Sequence, residues 1–357
     1  MKILKRKTKL ISSFLAVLLI ISSAAFLSAC GSNTTSSNSG LKGTIVVTTY
    51  GGTYDEVFNK CVVKPFEKKY PGVKVKLSPY ISVAKLQNGG AKNVDIVSLD
   101  DFDIIDAGNK GLLTKLKSSD FSNWNKLYPQ AFLKTDKGDT VGLSVEFGAW
   151  GIAYNSKEIS KPSSWNVFWD PEVKGKAAMM SQYIPDIIMT EKSTNSSDDN
   201  MAPVWEAFKK LTPSIAQYYS SFSSPESLFN SNSIVISSWF NGRAIALEEK
   251  NPDIKFTIPK EGGVLIRGAE GIVSSSKNKE IAEKFIDFRL NADVQTEFSK
   301  NLYYGPTNKE AKLSSNLVDK GITYGDEKIK ELTVPDWNKL LSQREELLGK
   351  WTEATSK

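Results

Sequence analysis

The sequence predicts an α/β fold in two lobes, each a mostly parallel sheet flanked by helices. Three observations lead there. Short β-branched or alternating apolar runs at residues 44–49, 73–77 and 95–99 are each followed by a helix-like segment, the spacing of a doubly wound parallel sheet. The same alternation restarts after Lys176. The chain, at 357 residues, also exceeds what one domain of ordinary size needs.

Between the two series lies V-E-F-G-A-W-G-I-A-Y-N-S-K-E-I-S-K-P-S-S-W-N-V-F-W-D-P-E-V-K-G-K, residues 145–176, around which the chain is organised. Phe147, Trp150, Ile152 and Tyr154 are bulky with small residues between them, the composition of a strand packed closely on at least one side. Pro162, Ser163 and Ser164 mark a turn, and either serine can cap the next helix. Trp165, Phe168 and Trp169 then recur at i, i+3, i+4 as the buried stripe of that helix, closed by Asp170-Pro171.

From the start of the chain, residues 1–10 carry five basic side chains and no acid, and an apolar run continues to Leu27. A charged head and an apolar middle make a secretory signal. The run is short for the ~20 residues of a membrane-spanning helix. It ends in Leu27-Ser28-Ala29-Cys30, which resembles a bacterial lipobox and so implies cleavage before Cys30 and lipid on its sulfur. Removing 29 of the 357 residues leaves 328. The removed part holds five of the 46 Lys and Arg and none of the 40 Asp and Glu, so the remainder has a formal charge of only +1. That gives no basic footprint for nucleic acid.

With Cys30 lipidated, Cys61 stands alone and no intramolecular disulfide is available. It shares an apolar stripe with Val57, Phe58 and Val62, the setting of a small core residue rather than a reactive thiol. The chain contains no histidine, which removes Ser-His-Asp, Cys-His and H-E-x-x-H chemistry. No G-x-S-x-G, Walker loop or G-x-G-x-x-G occurs either. A binding protein without catalysis, cofactor or metal is the simplest reading.

Residues 31–40, G-S-N-T-T-S-S-N-S-G, contain nothing apolar and read as a flexible tether within 30–43. After the first strand, Tyr50, Gly51, Gly52 and Thr53 turn into a helix that begins near Tyr54 and that Pro65 is expected to kink or end. Short helices are expected at 83–87 and 101–109, the latter stopped by Lys110-Gly111. The second series runs through a strand at 176–180, helices at 186–191 and 203–211, a strand at 234–238, a helix at 242–250, and strands at 256–258 and 264–266. An amphipathic helix then carries Ile281, Phe285, Ile286 and Phe288, followed by a helix over 292–300. Ligands of such sheets sit at the carboxyl ends of strands, which marks residues 50–53 together with Asp100, Asp101 and Phe102.

Four pieces, in order over residues 44–311, resemble bacterial extracellular solute-binding proteins of the spermidine/putrescine type. The first is the 145–176 segment, where such a chain leaves one lobe, crosses a hinge and starts the other. Trp239-Phe240-Asn241-Gly242-Arg243-Ala244 is similar to the family's W-N-G-x-A helix start with one residue inserted. Lys260-Glu261-Gly262-Gly263-Val264 is similar to its K-E-G-G strand start, and Tyr304-Gly305-Pro306-Thr307-Asn308 to its late G-Y-x-P-x-N turn. The resemblance implies the periplasmic-binding-protein-like II fold with the ligand in the cleft. It makes 44–144 plus 269–300 one lobe and 145–268 plus 301–357 the other, with a separate return strand at 271–274 and the last segment wrapping over the second lobe. It also implies a monomer held by its lipid at the outer face of the cell membrane, with an ABC permease and a cytoplasmic ATPase as partners.

The sign of the ligand is left open by the residues. Gly51-Gly52-Thr53 would offer free N–H groups to a carboxylate, phosphate or phosphonate, or would simply be a turn that glycine alone can take. Asp100 and Asp101 suit an amine, and Asp101 serves equally as a helix cap. The resemblance to polyamine binders places acids where this chain has Gly52, Gln182, Pro185 and Gly268, with Asp186 as a substitute and Arg267 beside the last. Glu146, next to Phe147 in the hinge strand, restores one charge, and Tyr50, Phe102, Trp239 and Tyr304 match aromatic or adjacent family positions. A polyamine is the family's default ligand, while these residues favour a small amine or zwitterion with its ammonium held by Asp101 and Glu146. One rival is a ferric-ion or organic-anion receptor of the same fold, the iron version resting on Tyr218-Tyr219 and Tyr303-Tyr304. The other is a secreted hydrolase using Glu146 and Asp101 as a carboxylate pair.

Overall fold

Residues 40–197 and 199–356 are described by a computed structural model, so Cys30 and the lipobox-like stretch lie outside the described residues. The N-terminal β-branched run forms β1 (Gly43–Thr49), which pairs in parallel with β2 (Val73–Pro79) and β3 (Ile96–Asp100). A second parallel group joins β6 (Ala177–Met180) to β7 (Ile215–Tyr219) and β8 (Ile236–Phe240). Two long strands stand between these groups: β5 (Thr140–Asn155) and β10 (Gly263–Ile272), antiparallel to each other. The resulting order, β2-β1-β3-β10-β5-β8-β6-β7, is one continuous sheet with helices on its faces. Two short strands, β4 (Phe132–Lys134) and β9 (Ile254–Thr257), add to β5, and β11 (Leu332–Thr333) adds to β10.

The structure corrects several sequence expectations. The runs at 264–266 and 271–274 are one strand, because antiparallel pairing with β5 continues from Val264 opposite Trp150 to Glu270 opposite Leu143. A bulge replaces the expected break: Gly268 faces Glu146, Ala269 faces Ser144, and Val145 has no opposite residue. The freed groups are satisfied by side chains, since the Ser144 hydroxyl lies 3.0 Å from the Glu146 carbonyl and Gln295 donates to the Val145 carbonyl at 3.1 Å.

Pro65 does not end its helix. Between the α-helical stretches Thr53–Phe58 and Lys64–Lys69 the chain makes a π-turn, Asn59–Val63, in which the Lys64 N–H reaches back to the Asn59 carbonyl. The wider turn places Pro65 in the first turn of the resumed helix, where its missing N–H costs little. Cys61, in the π-turn, is buried and free, as its apolar stripe indicated.

Trp165–Trp169 is a 3-10 helix rather than an α-helix. Ser164 does cap it, accepting from the Asn166 N–H at 3.1 Å, and Glu261 accepts in turn from the Ser164 hydroxyl at 2.5 Å and the Trp165 N–H at 3.2 Å. β7 was not foreseen, because Ala216, Gln217 and half-buried Tyr218 interrupt any apolar run. The C-terminal segment touches more than the second group of strands. Trp337 packs on Phe102 with ring centroids 5.3 Å apart, while Trp351 packs on Tyr218 at 5.0 Å.

Two local features make testable demands. Phe147 and Gly305 exchange both backbone hydrogen bonds at 2.7 Å, which seats the 304–308 turn on β5, and a Cβ on Gly305 would lie 1.6 Å from the Thr323 carbonyl oxygen. Gly305→Ala is expected to cost at least about 1–3 kcal/mol, read as a lower urea midpoint at unchanged slope. Asp186 is buried and accepts from Trp150 Nε1 (2.8 Å), Ser238 Oγ (3.0 Å) and the Met180 N–H (3.2 Å). Burial outweighs these bonds and pushes its carboxyl up to about 7. A raised carboxyl favours the fold while protonated, so its contribution is complete below about pH 4 and lost as pH rises through about 7. The urea-derived stability of the wild type is expected to fall by roughly 2–3 kcal/mol more between pH 5 and pH 8 than that of Asp186→Asn.

Candidate functional site

A cavity opens where the carboxyl ends of strands from both parallel groups meet the bulged middle of the sheet. Tyr50 follows the last residue of β1, Asp100 is the last residue of β3, and Phe240 is the last of β8. Arg243 enters from the helix Asn241–Glu248 that continues β8, and Tyr304 from the turn seated on β5. Glu146 of β5 and Gly268 of β10 form the bulged part of the wall. Gly268 matters for space, because a Cβ there would sit 2.6 Å from Glu146 Oε1.

The charges in this wall differ in how far they are already satisfied. Glu146 is buried and accepts from Tyr54 Oη at 3.0 Å and from Arg289 at 3.0 Å, and the same guanidinium also bonds Glu270. Burial raises both carboxyls in spite of Arg289. Asp100 has no such cation bound to it. Burial raises it well above the usual carboxylate range, the negative charges of Asp101, Asp103 and Glu146 push the same way, and Arg243 opposes them. The phenol of Tyr304 is pushed up to about 12 by burial, with the charge of Arg243 opposing the rise. Tyr50 stacks edge-on against Tyr54 at 4.9 Å, and its buried hydroxyl has no protein partner. Phe222 and Phe240, 4.9 Å apart, complete an aromatic side. The cavity therefore presents an uncommitted carboxyl and a guanidinium on one aromatic-walled space.

Of the residues singled out in the sequence, Tyr50, Asp100, Glu146 and Tyr304 line this cavity. Asp101 and Arg267 do not: they are both buried and paired at 2.7 Å, so the acid expected to hold an amine is neutralised by the arginine next to Gly268. Gly51, Gly52 and Thr53 are exposed. Gly51 and Gly52 take positive φ of 81° and 61°, as a glycine turn requires, and the anion at this helix start is the chain's own Asp55, which accepts from the Gly51 N–H at 3.0 Å. Phe147 and Trp239 are core residues, the Trp239 indole donating to the Phe222 carbonyl at 2.8 Å. Phe102 and Gln182 line a different cavity, and the Gln182 amide donates to Thr352 at 2.9 Å.

The rival readings lose their residues as well. Among the four adjacent tyrosines only Tyr304 lines the cavity, while the Tyr219 hydroxyl donates to the Ser238 carbonyl and Tyr218 bonds Thr212. No cluster of three or more Cys, Asp or Glu able to hold a metal ion occurs among the described residues. The carboxylate pair of the hydrolase reading is engaged by two different arginines. Sequence reasoning missed Tyr54, Phe222, Phe240 and Arg243 as lining residues. For Arg243 a signal existed, since it lies three residues beyond a strand end within the quoted W-F-N-G-R-A stretch.

Comparisons with known proteins agree with this architecture. The chain is 26% identical over 272 residues to the spermidine/putrescine-binding periplasmic protein of Salmonella typhimurium, covering 72% of this chain and 78% of that protein. It is 22% identical over 286 residues to the gamma-aminobutyric acid-binding protein of Pseudomonas aeruginosa, covering 74% and 77%. The solved spermidine/putrescine ABC transporter substrate-binding protein of Streptococcus pneumoniae has the same fold, with a TM-score of 0.72 at 20% identity over 88% of this chain and 99% of that one. The first two relatives are solute-binding proteins by name and the third is an ABC transporter substrate-binding protein, and no described helix here is long and apolar enough to cross a membrane. The family of bacterial extracellular solute-binding proteins matches residues 62–323, most of the sheet and all the lining residues except Tyr50 and Tyr54, and the chain belongs to that family.

Proposed function

We propose that the protein is the lipid-anchored receptor of an ABC importer and captures a small zwitterionic amine. The observation that carries the ligand class is the presence of Asp100 and Arg243 on one cavity. An ammonium at Asp100 and a carboxylate at Arg243 satisfy two opposite charges at once, and the chain between them lies along Phe222 and Phe240. Charge-assisted bonds of this kind each contribute roughly 1.5–3 kcal/mol. A diamine fits less well, because its second ammonium finds Glu146 already engaged by Arg289 and Tyr54. The relatives support both ligand types by name, one binding spermidine and putrescine and another gamma-aminobutyric acid.

The ligand would bridge residues of the proposed lobes 44–144 plus 269–300 and 145–268 plus 301–357, with the paired strands β5 and β10 as the hinge. Delivery would be to a membrane permease driven by an ATPase. The lipobox-like Leu27-Ser28-Ala29-Cys30 supports attachment to the outer face of the cell membrane as a monomer. In this reading the protein performs no catalysis.

Calorimetric titration with γ-aminobutyrate, putrescine, butylamine and butyrate tests the ligand class. The tightest binding is expected for γ-aminobutyrate. Asp100→Asn is expected to weaken it about tenfold or more, the equivalent of ~1.4 kcal/mol. Arg243→Met is expected to weaken γ-aminobutyrate similarly and leave butylamine unchanged. Tighter binding of putrescine than of γ-aminobutyrate, or an Arg243→Met variant with wild-type affinity, would overturn the zwitterion reading.

The titration of Asp100 gives a second test. Its carboxyl, raised by burial, keeps its proton to higher pH than usual, and a bound ammonium favours the charged form. Binding is therefore expected to release protons wherever the free carboxyl still holds its own. The measured heat should differ between phosphate and Tris buffers in the wild type and not in Asp100→Asn.

A further inference from the structure

We propose that a second cavity, walled by Phe102, Tyr183, Trp337 and Arg344, is a binding site for an organic carboxylate. It lies where the C-terminal helices Trp337–Ser342 and Arg344–Thr355 meet the starts of the helices Asp101–Asn109 and Ile184–Ser193. It shares no lining residue with the first cavity, and it stands apart from the reading of that cavity's ligand.

Two of its walls carry polar atoms that the fold leaves without a protein partner. Trp337 is 2% exposed and Tyr183 6%, and both the indole Nε1 and the phenol oxygen are buried and unpartnered. An indole N–H can only donate. The phenol is held protonated by burial and by the negative charges of Asp100 and Asp101, so it too has a proton to give. A buried donor without a protein acceptor is unfavourable, and an acceptor held in the cavity relieves it.

The third group is a cation without a salt-bridge partner among the described residues. Arg344 lies over the Phe102 ring, 6.0 Å from its centroid, and its charge acts on Asp103 and Tyr80, which are hydrogen-bonded to each other at 2.9 Å. No Asp or Glu lines the cavity, and the Gln182 amide is committed to Thr352. The uncommitted polar groups of these lining residues are thus donors, and the guanidinium fork matches a planar carboxylate. The remaining wall, with Phe102, Ile184 and Leu341, suits an apolar body on that carboxylate.

The test uses the protein labelled with 5-fluorotryptophan, in which Trp337→Phe removes, and so assigns, one fluorine resonance. Benzoate is the probe, and benzylamine is the control of the same shape and opposite charge. Benzoate is expected to shift the Trp337 resonance saturably, at least tenfold more weakly in Arg344→Met, and benzylamine is expected not to shift it. Arg344→Lys, which keeps the charge without the fork, should lie between and guards against a folding defect in the Met variant. A benzoate response that persists in saturating γ-aminobutyrate marks a separate site, and one that γ-aminobutyrate abolishes marks a far compartment of the same cleft; both keep the carboxylate assignment. An unshifted Trp337 resonance, an equal response in Arg344→Met, or an equal response to benzylamine would overturn it.

Discussion

Arg289 ties the sheet to its helices at the point where the register of the two long strands shifts. Its guanidinium, 2% exposed, bonds Glu146 on β5, Glu270 on β10 and the Tyr54 hydroxyl on the first helix, and it lies 4.6 Å from the Phe58 ring centroid. Desolvation works against the charged arginine, and the surrounding anions and Tyr54 more than restore it. Breaking such a buried group by removing one partner typically costs about 3–5 kcal/mol, because the charges left behind have no water to turn to. The bulge at Gly268 and Ala269 sits between the two carboxylates, so one side chain braces both arms of the crossing.

That bracing also shapes the site. By engaging Glu146, Arg289 withdraws a carboxylate that would otherwise face the cavity as a free anion. Arg267 does the same for Asp101 beside it. Of three acids clustered near the strand ends, Asp100 alone is left uncommitted, opposite Arg243. In the proposed reading, the selectivity of the pocket rests as much on which charges the fold consumes as on which it displays.

Particular elements mark where sequence reasoning succeeds. The helix over residues 101–109 and the β-branched run of β1 have the expected bounds to within a residue, because apolar period and the Lys110-Gly111 stop are local properties, although Asp101 is the first helical residue and not the cap it was expected to be. The fusion of the two expected strands into β10 was not legible, since it depends on the partner strand β5 continuing past both. The π-turn that rescues Pro65 is similar: single residues announce a break, and the packing of Phe58, Val62 and Phe66 in one core holds the helix together.

For the site, strand order and the carboxyl ends of strands were readable, and these located Tyr50 and Asp100. The fate of Asp101 was not, because its partner Arg267 lies 166 residues away, and Glu146 finds Arg289 at a separation of 143. Residue type, period and turn chemistry are written along the chain, so the sequence by itself determined the α/β class, the alternation of elements and the region of the cleft. Which charges cancel is settled by pairs that only the closed sheet brings within 3 Å. Tertiary structure alone therefore decided which acid and which arginine remain without an ion pair on the cavity wall among the described residues.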